Sequence, residues 1–140
     1  MASPDGSNEL LAAMRQKLLT VVDLATIVDG RIFDRPSQEV EFPYVQLGET
    51  QVLPLRALCV NGTTIYVTLH TWARDGWAGD TVRQMSSLIV PALDGAKDLD
   101  LGPDYVCQLI EHQDTRVLRD PDGSTRHGVI EFRADITIEA

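Results

Sequence analysis

The chain has 140 residues, 21 acidic against 12 basic side chains and a net charge of −9. That balance excludes a strongly basic nucleic-acid binder, because affinity for a phosphate backbone comes from counterions released at Lys and Arg. A composition of 44% hydrophobic and 24% charged residues belongs to a folded domain, and a chain of this length buries roughly 70% of its unfolded surface without disulfides or metal.

In chain order, residues 1–7 read as a flexible N-terminus and residues 8–140 as one domain. Ser7 is placed to cap a helix over about Asn8 to Val22, with Leu10, Leu11, Met14 and Leu18 on one stripe. Asp23 reads as a cap for the short stretch Leu24 to Val28, which Gly30 ends, and Arg31 to Phe33 is extended. A break at Arg35-Pro36-Ser37 follows, Pro43 leads into an extended Tyr44 to Gly48, and Thr50 to Pro54 reads as a loop. Leu55 to Val60 and Thr64 to Ala73 flank Asn61-Gly62, a strong hairpin signal. Arg74 to Gly79 is a loop, and Asp80 caps a second helix carrying Val82, Met85, Leu88, Ile89 and Ala92. Pro91 removes a hydrogen bond to the Ser87 carbonyl, so that helix should stop near Ile89 or bend.

Two long extended runs, Tyr105 to Leu118 and Arg126 to Ile138, are joined by the turn Asp120-Pro121-Asp122-Gly123. Centred on Pro121 and Asp122, this hairpin sets Tyr105, Cys107 and Leu109 opposite Ile138, Ile136 and Ala134. Nearer the turn, Glu111, Gln113 and Thr115 are polar, so the tip is expected to project beyond the core. Phe132, Ile136 and Ile138 should pack against Leu11, Met14 and Leu18. The sum is an α+β fold: a mainly antiparallel sheet with two helices packed on one face and projecting β-hairpins.

Chemical motifs are nearly absent. The sequence holds no Gly-x-Ser-x-Gly elbow, no Gly-rich phosphate loop and no paired metal-ligand spacing, so no catalytic residue, metal or cofactor is expected. Cys59 and Cys107 are 48 positions apart in apolar segments and read as buried free thiols. His70, His112 and His127 read as structural or solvated. Asp98, Asp100 and Asp104 hint at calcium, but Gly102 stands where a ligand is needed and no Glu closes the loop, so a solvated acidic loop is the reading. Trp72 and Trp77 frame residues 73–76 and read either as a contact patch or as a core edge. No apolar run reaches the roughly 20 residues of a membrane helix, and MASPDGSNEL has no secretory pattern, so synthesis in the cytoplasm without a membrane partner is expected.

The order of motifs is distinctive. An amphipathic first helix precedes Val28 to Phe33, Phe42-Pro43-Tyr44-Val45, and a strand ending Leu69-His70-Thr71-Trp72-Ala73. A helix ending Ala92-Leu93-Asp94-Gly95, then Leu118 to Gly123 and Arg126 to Ala134, complete a pattern that resembles the tail-terminator (tail-completion) family of long-tailed bacteriophages and gene transfer agents. The resemblance implies a structural protein, made in the host cytoplasm and then sited at the head-proximal end of the particle tail. It implies a homohexameric ring that caps the tail tube, stops its growth and offers the joining surface to the head connector or stopper protein. The tube protein and the connector are thus implied partners, and DNA passes through the ring without specific binding. Contact residues are our assignment: Arg116, Arg119, Asp120, Asp122, Arg126, Trp72 and Trp77 for protein interfaces, and Asp98, Asp100 and Asp104 for an acidic pore lining. Two other classes stay open, a small regulatory binding module and a small hydrolase or transferase using His70 or His112.

Overall fold

The computed structural model of the chain describes residues 5–35, 39–55, 61–74 and 80–139. Gly6, at φ 80°, turns the backbone into helix α1, Ser7–Leu19, which buries Leu10, Ala13, Met14 and Leu18. Ser7 is therefore the first helical residue and not the cap, and its N–H donates to Asp5 Oδ1 at 2.9 Å, so an upstream aspartate does what a capping serine would do. Leu10 takes the core position on this stripe, and Leu11 lies at its rim. The helix ends three residues sooner than its apolar stripe suggests, since the N–H groups of Thr20 and Val21 turn back to the carbonyls of Lys17 and Leu18.

The chain restarts as α2, Val22–Val28, making three helices among the described residues where the sequence pattern indicates two. Asp23 lies inside its first turn, where it favours the helix dipole, and Val21 holds the cap position without a side-chain bond. Asp29 at φ 50° and Gly30 at φ 77° end it. β1 is the pair Ile32–Phe33, held by Arg15, whose Nε donates to the Ile32 carbonyl at 2.8 Å.

The remaining strands are β2, Tyr44–Pro54, β3, Gly62–Ala73, β4, Tyr105–Arg119, and β5, Arg126–Ile138. They form one sheet in the order β1-β2-β3-β5-β4, with β1 parallel to β2 and every other pair antiparallel. Thr50 to Pro54 is strand and not loop: β2 runs on past a bulge at Gly48-Glu49 to pair Pro54 with Thr63. Asn61-Gly62 is consequently not the hairpin turn. Gly62 opens β3 opposite Thr137, and the N–H of Leu55 reaches the Gly62 carbonyl, so the strand partner of β3 lies before Leu55. Most of the expected strand Leu55 to Val60, including Cys59, lies outside the described residues, as do Pro36, Ser37 and most of the loop after Arg74.

Helix α3, Asp80–Leu93, carries the chain from β3 to β4, leaving a gap one strand wide that β5 fills. Asp80 is its first residue, and the helix continues through Pro91 to Leu93, since the missing N–H falls in the last turn where few bonds remain to be lost. Ile65, Val67, Leu69, Ile130, Phe132 and Ile136 point to the helices and are fully buried with Met14, Leu18, Met85 and Ile89. α3 lies over β5, whereas α1 packs mainly against α3, α2, β1 and β2. Phe132 is fully buried in the core shared with both helices, and Ile138 is 36% exposed instead of joining it.

The β4–β5 register begins as the sequence pattern sets it, with Tyr105 opposite Ile138 and Cys107 opposite Ile136. Two irregularities, at Cys107/Leu109 and His112/Asp114, then shift it, so Leu109 meets Asp135 and Ile110 meets Ala134. The tip does not project. β5 is paired on both sides along its length, Ala73 lying opposite Arg126 on one side and Arg119 on the other.

Candidate functional site

The sheet face turned away from the helices carries a row of stacked rings. Tyr44 of β2, Trp72 of β3 and His127 of β5 fall in register and point to that face, because strands alternate their side chains. Phe42 meets Tyr44 edge-on at 5.1 Å, Tyr44 stacks on Trp72 at 6.3 Å, and Trp72 lies nearly parallel to His127 at 3.8 Å. Arg74 closes one end, its guanidinium 4.0 Å above the Phe42 ring. At the other end His70 Nδ1 is 2.6 Å from His127 Nε2, and His70 Nε2 is 3.0 Å from the Glu49 carboxylate.

The electrostatics follow from this packing. Burial against Trp72, and then the neighbouring His70, hold His127 down at about 4, so its ring is neutral near pH 7. Glu49 is held below the usual carboxylate range by its hydrogen bond to His70. Burial pushes the Tyr44 hydroxyl up, opposed by Arg74. A carboxylate only accepts, so His70 Nε2 carries a proton toward Glu49, and its Nδ1 faces His127 Nε2. Both nitrogens of His70 are thereby engaged in structure, and His112 Nε2 is engaged by Thr115 Oγ1 at 2.6 Å. Among the described residues no group of three metal-binding side chains occurs.

The residues singled out from the sequence do not form one cluster. Arg116 is exposed on β4 and pairs with Asp114 at 3.3 Å. Arg119 ends that strand beside the turn. Asp120 and Asp122 build the turn itself: Asp120 Oδ1 accepts the Asp122 N–H, and Asp122 accepts the N–H groups of Ser124 and Thr125 and the Thr125 hydroxyl. Those bonds, the Thr125 hydroxyl first, hold the Asp122 carboxyl down at about 2. Arg126 points inward at 4% exposure, and neither of its terminal nitrogens has a hydrogen-bond partner. Trp72 belongs to the ring stack, with its indole nitrogen buried and unbonded. Trp77 lies outside the described residues.

The acidic loop lies on the helix side of the molecule. Asp98 accepts from Lys17 of α1 at 2.7 Å, and that ammonium lowers the Asp98 carboxyl. Asp100 Oδ1 accepts the Gly102 N–H at 2.9 Å, and the Asp104 carbonyl accepts the Glu139 N–H at 2.8 Å. Sequence reasoning missed the ring stack. Its signal was the alternation His70, Trp72 on one strand, but joining it to Tyr44 and His127 needs the strand order, which no local pattern contains.

Comparison with known proteins supplies the context. The family model described as tail completion protein gp17 matches residues 12–137. Tail completion protein gp17 of Bacillus phage SPP1 is 26% identical over 107 residues, covering 76% of this chain and 77% of that protein. The solved structure of bacteriophage SPP1 gp17 matches 95% of this chain and 91% of its own at 26% identity and a TM-score of 0.60. A chain in the virion of a native gene transfer agent particle has the same fold, with a TM-score of 0.84 at 22% identity over 96% of this chain and 99% of that one.

Proposed function

The chain belongs to the tail completion protein gp17 family, which makes it a structural tail component and not an enzyme, and from that premise we propose that it works as a tail terminator. In this reading six copies form a ring at the head-proximal end of the tail tube, stop the tube's growth and present the surface to which the head connector joins. The protein gathers in the host cytoplasm during assembly and ends in the particle tail. Self-association and two unlike interfaces are all this task requires, which agrees with the engagement of both His70 nitrogens and of His112 Nε2 by structural neighbours.

The observation that carries the reading is the family match over residues 12–137. The surfaces fit it: the ring stack with Trp72 lies on the face away from the helix layer, as does Arg116, while Arg119, Asp120 and Asp122 stand at the turn end. Arg126, being buried, supports that end from within. The test is to polymerise the cognate tail tube protein with and without this chain and to measure tube lengths by electron microscopy. Short tubes with density at one end are expected. Tubes that lengthen without a cap would overturn the reading.

A second part of the proposal concerns the pore. Six copies at −9 each surround a passage that DNA must slide through, and fixed carboxylates there keep phosphates from sticking. Asp98, Asp100 and Asp104 are the candidates for its lining, with Asp98 partly neutralised by Lys17. Duplex DNA at low salt should not bind, and micromolar affinity with a steep salt slope would contradict this part.

A further inference from the structure

Two stretches of this sheet have a strand neighbour on one side only among the described residues. β1 covers just Val45 and Gln46 of β2, so Glu49 to Pro54 is bare along its outer side and exposed throughout. At the opposite edge, the corner after α3 covers the middle of β4: Gly95 donates to the Ile110 carbonyl at 2.8 Å, and the His112 N–H donates to Asp94 at 2.9 Å. Beyond that corner Asp114 to Leu118 has no strand neighbour on its outer side among the described residues. There α3 stands off from β4 across a groove of about 350 Å³ bordered by Ser87, Val90, Pro91, Thr115 and Val117. Pro91 also leaves the Ser87 carbonyl without its helical donor on that same stretch of helix.

We propose that the bare stretch of β2 in one copy adds as a strand to the bare stretch of β4 in the next, so that the sheet continues across the subunit boundary. This rests on the ring reading and assigns its interface. The partner is a second copy because the two edges match face by face. Thr50 and Val52 lie opposite Val67 and Ile65, hence on the helix side of β2. Thr115 and Val117 lie opposite Ile130 and Gly128, hence on the helix side of β4. An added strand with Val52 opposite Val117 sets Val52, 37% exposed, into the groove beside Val90 and Pro91. On the other face it brings Leu53, 41% exposed, diagonally against Leu118, 46% exposed. Half of the six exposed large apolar side chains among the described residues thus meet at one boundary.

Geometry permits closure. β2 runs antiparallel to β4 within one copy, so copies related by rotation about an axis near the strand direction meet antiparallel. Val52 is level, through Ile65 and Ala134, with Ile110, so pairing it with Val117 displaces neighbours by about six pleated residues, or ~20 Å. Crossing β2, β3, β5 and β4 takes ~19 Å, so the strands tilt about 45° from the ring axis, at the upper end of the range for closed barrels. Strands running straight along the axis would give an open spiral instead.

The test is the double variant Val52→Cys/Val117→Cys in full-length chain with Cys59→Ser and Cys107→Ser. Within one copy these positions are separated by two strands, ~14 Å across the sheet and ~20 Å along it, beyond the reach of a disulfide, so any cross-link joins two copies. Oxidation should give a ladder of covalent multimers on denaturing, non-reducing gels, absent from either single variant. The exposed-site variant Leu53→Asp should keep the wild-type circular dichroism while weakening assembly at least tenfold in native mass spectrometry. A native hexamer that gives no ladder and tolerates Leu53→Asp overturns the edge pairing and leaves the ring reading standing. A chain that stays monomeric at every concentration overturns both.

Discussion

Gly128 sits beneath Ser86 of α3, between Thr71 of β3 and Val117 of β4. A methyl group added there would collide with the Thr71 hydroxyl and stand 3.2 Å from Ser86 Oγ, which is itself buried and bonded to the Val82 carbonyl. Replacing Gly128 by Ala forces a fully buried neighbour to move in a packed layer, an overpacking cost of about 1–3 kcal/mol. The lost strand entropy of glycine returns about 0.5–1 kcal/mol, leaving a net loss of about 1–2 kcal/mol. For a chain of this size that lowers the melting temperature by about 3–6 °C. The Thr71 hydroxyl has no hydrogen-bond partner, so Thr71→Ala alone should be close to neutral, a lost methyl contact offsetting the removal of an unsatisfied polar atom. Combined with Gly128→Ala it removes the colliding atom, and urea denaturation of the four proteins should show a favourable coupling of at least about 1 kcal/mol. Thr71→Val keeps the bulk, so it should not rescue. Additivity within about 0.5 kcal/mol, or a neutral Gly128→Ala, would refute the reasoning.

Three further outcomes follow from burial and charge. Phe132→Ala, at a fully buried position under α3, should cost about 3–5 kcal/mol in denaturant titrations, and a loss under about 1 kcal/mol would mean that the side chain is not in the core. Arg126→Met should leave stability unchanged or raise it by about 1–4 kcal/mol, since it replaces a buried guanidinium whose terminal nitrogens lack partners; a clear loss would reveal a carboxylate partner. His127, depressed from 6.5 to about 4, stays neutral in the fold while the unfolded chain takes up a proton, so stability is highest above pH 6.5 and falls as pH drops toward 4. After screening at this half-exposed site the loss is about 1–2 kcal/mol, with Glu49 adding to it at still lower pH, and His127→Gln should flatten the profile between pH 6.5 and 4.

Where one face of an element is buried and the other wet, the pattern was readable. β5 alternates Ile130, Phe132, Ala134 and Ile136 with polar residues, and its first pairings with β4 followed from that alternation alone. The second half of β2 was not readable, because as an outer strand with no helix above it Glu49 to Pro54 buries neither face and carries no period. Asn61-Gly62 misled for a related reason: a dipeptide suited to a tight turn also suits the start of a strand where Gly62 passes the Ile136 carbonyl too closely for a side chain. α2 is too short for periodicity to establish, and Arg126 looks like a surface residue until β3 is placed beside it. The motif order carried the family, but the ring stack and the two bare edges belong to the strand order, which only the three-dimensional arrangement supplies.

Self-assembly of this chain into a closed ring can be read from native mass spectrometry of the purified protein. A dominant species of about 93 kDa is expected, six times the 15.5 kDa chain, which Leu53→Asp returns toward the monomer. A single 15.5 kDa species at every concentration, or a ladder of masses without a preferred number of copies, would contradict it.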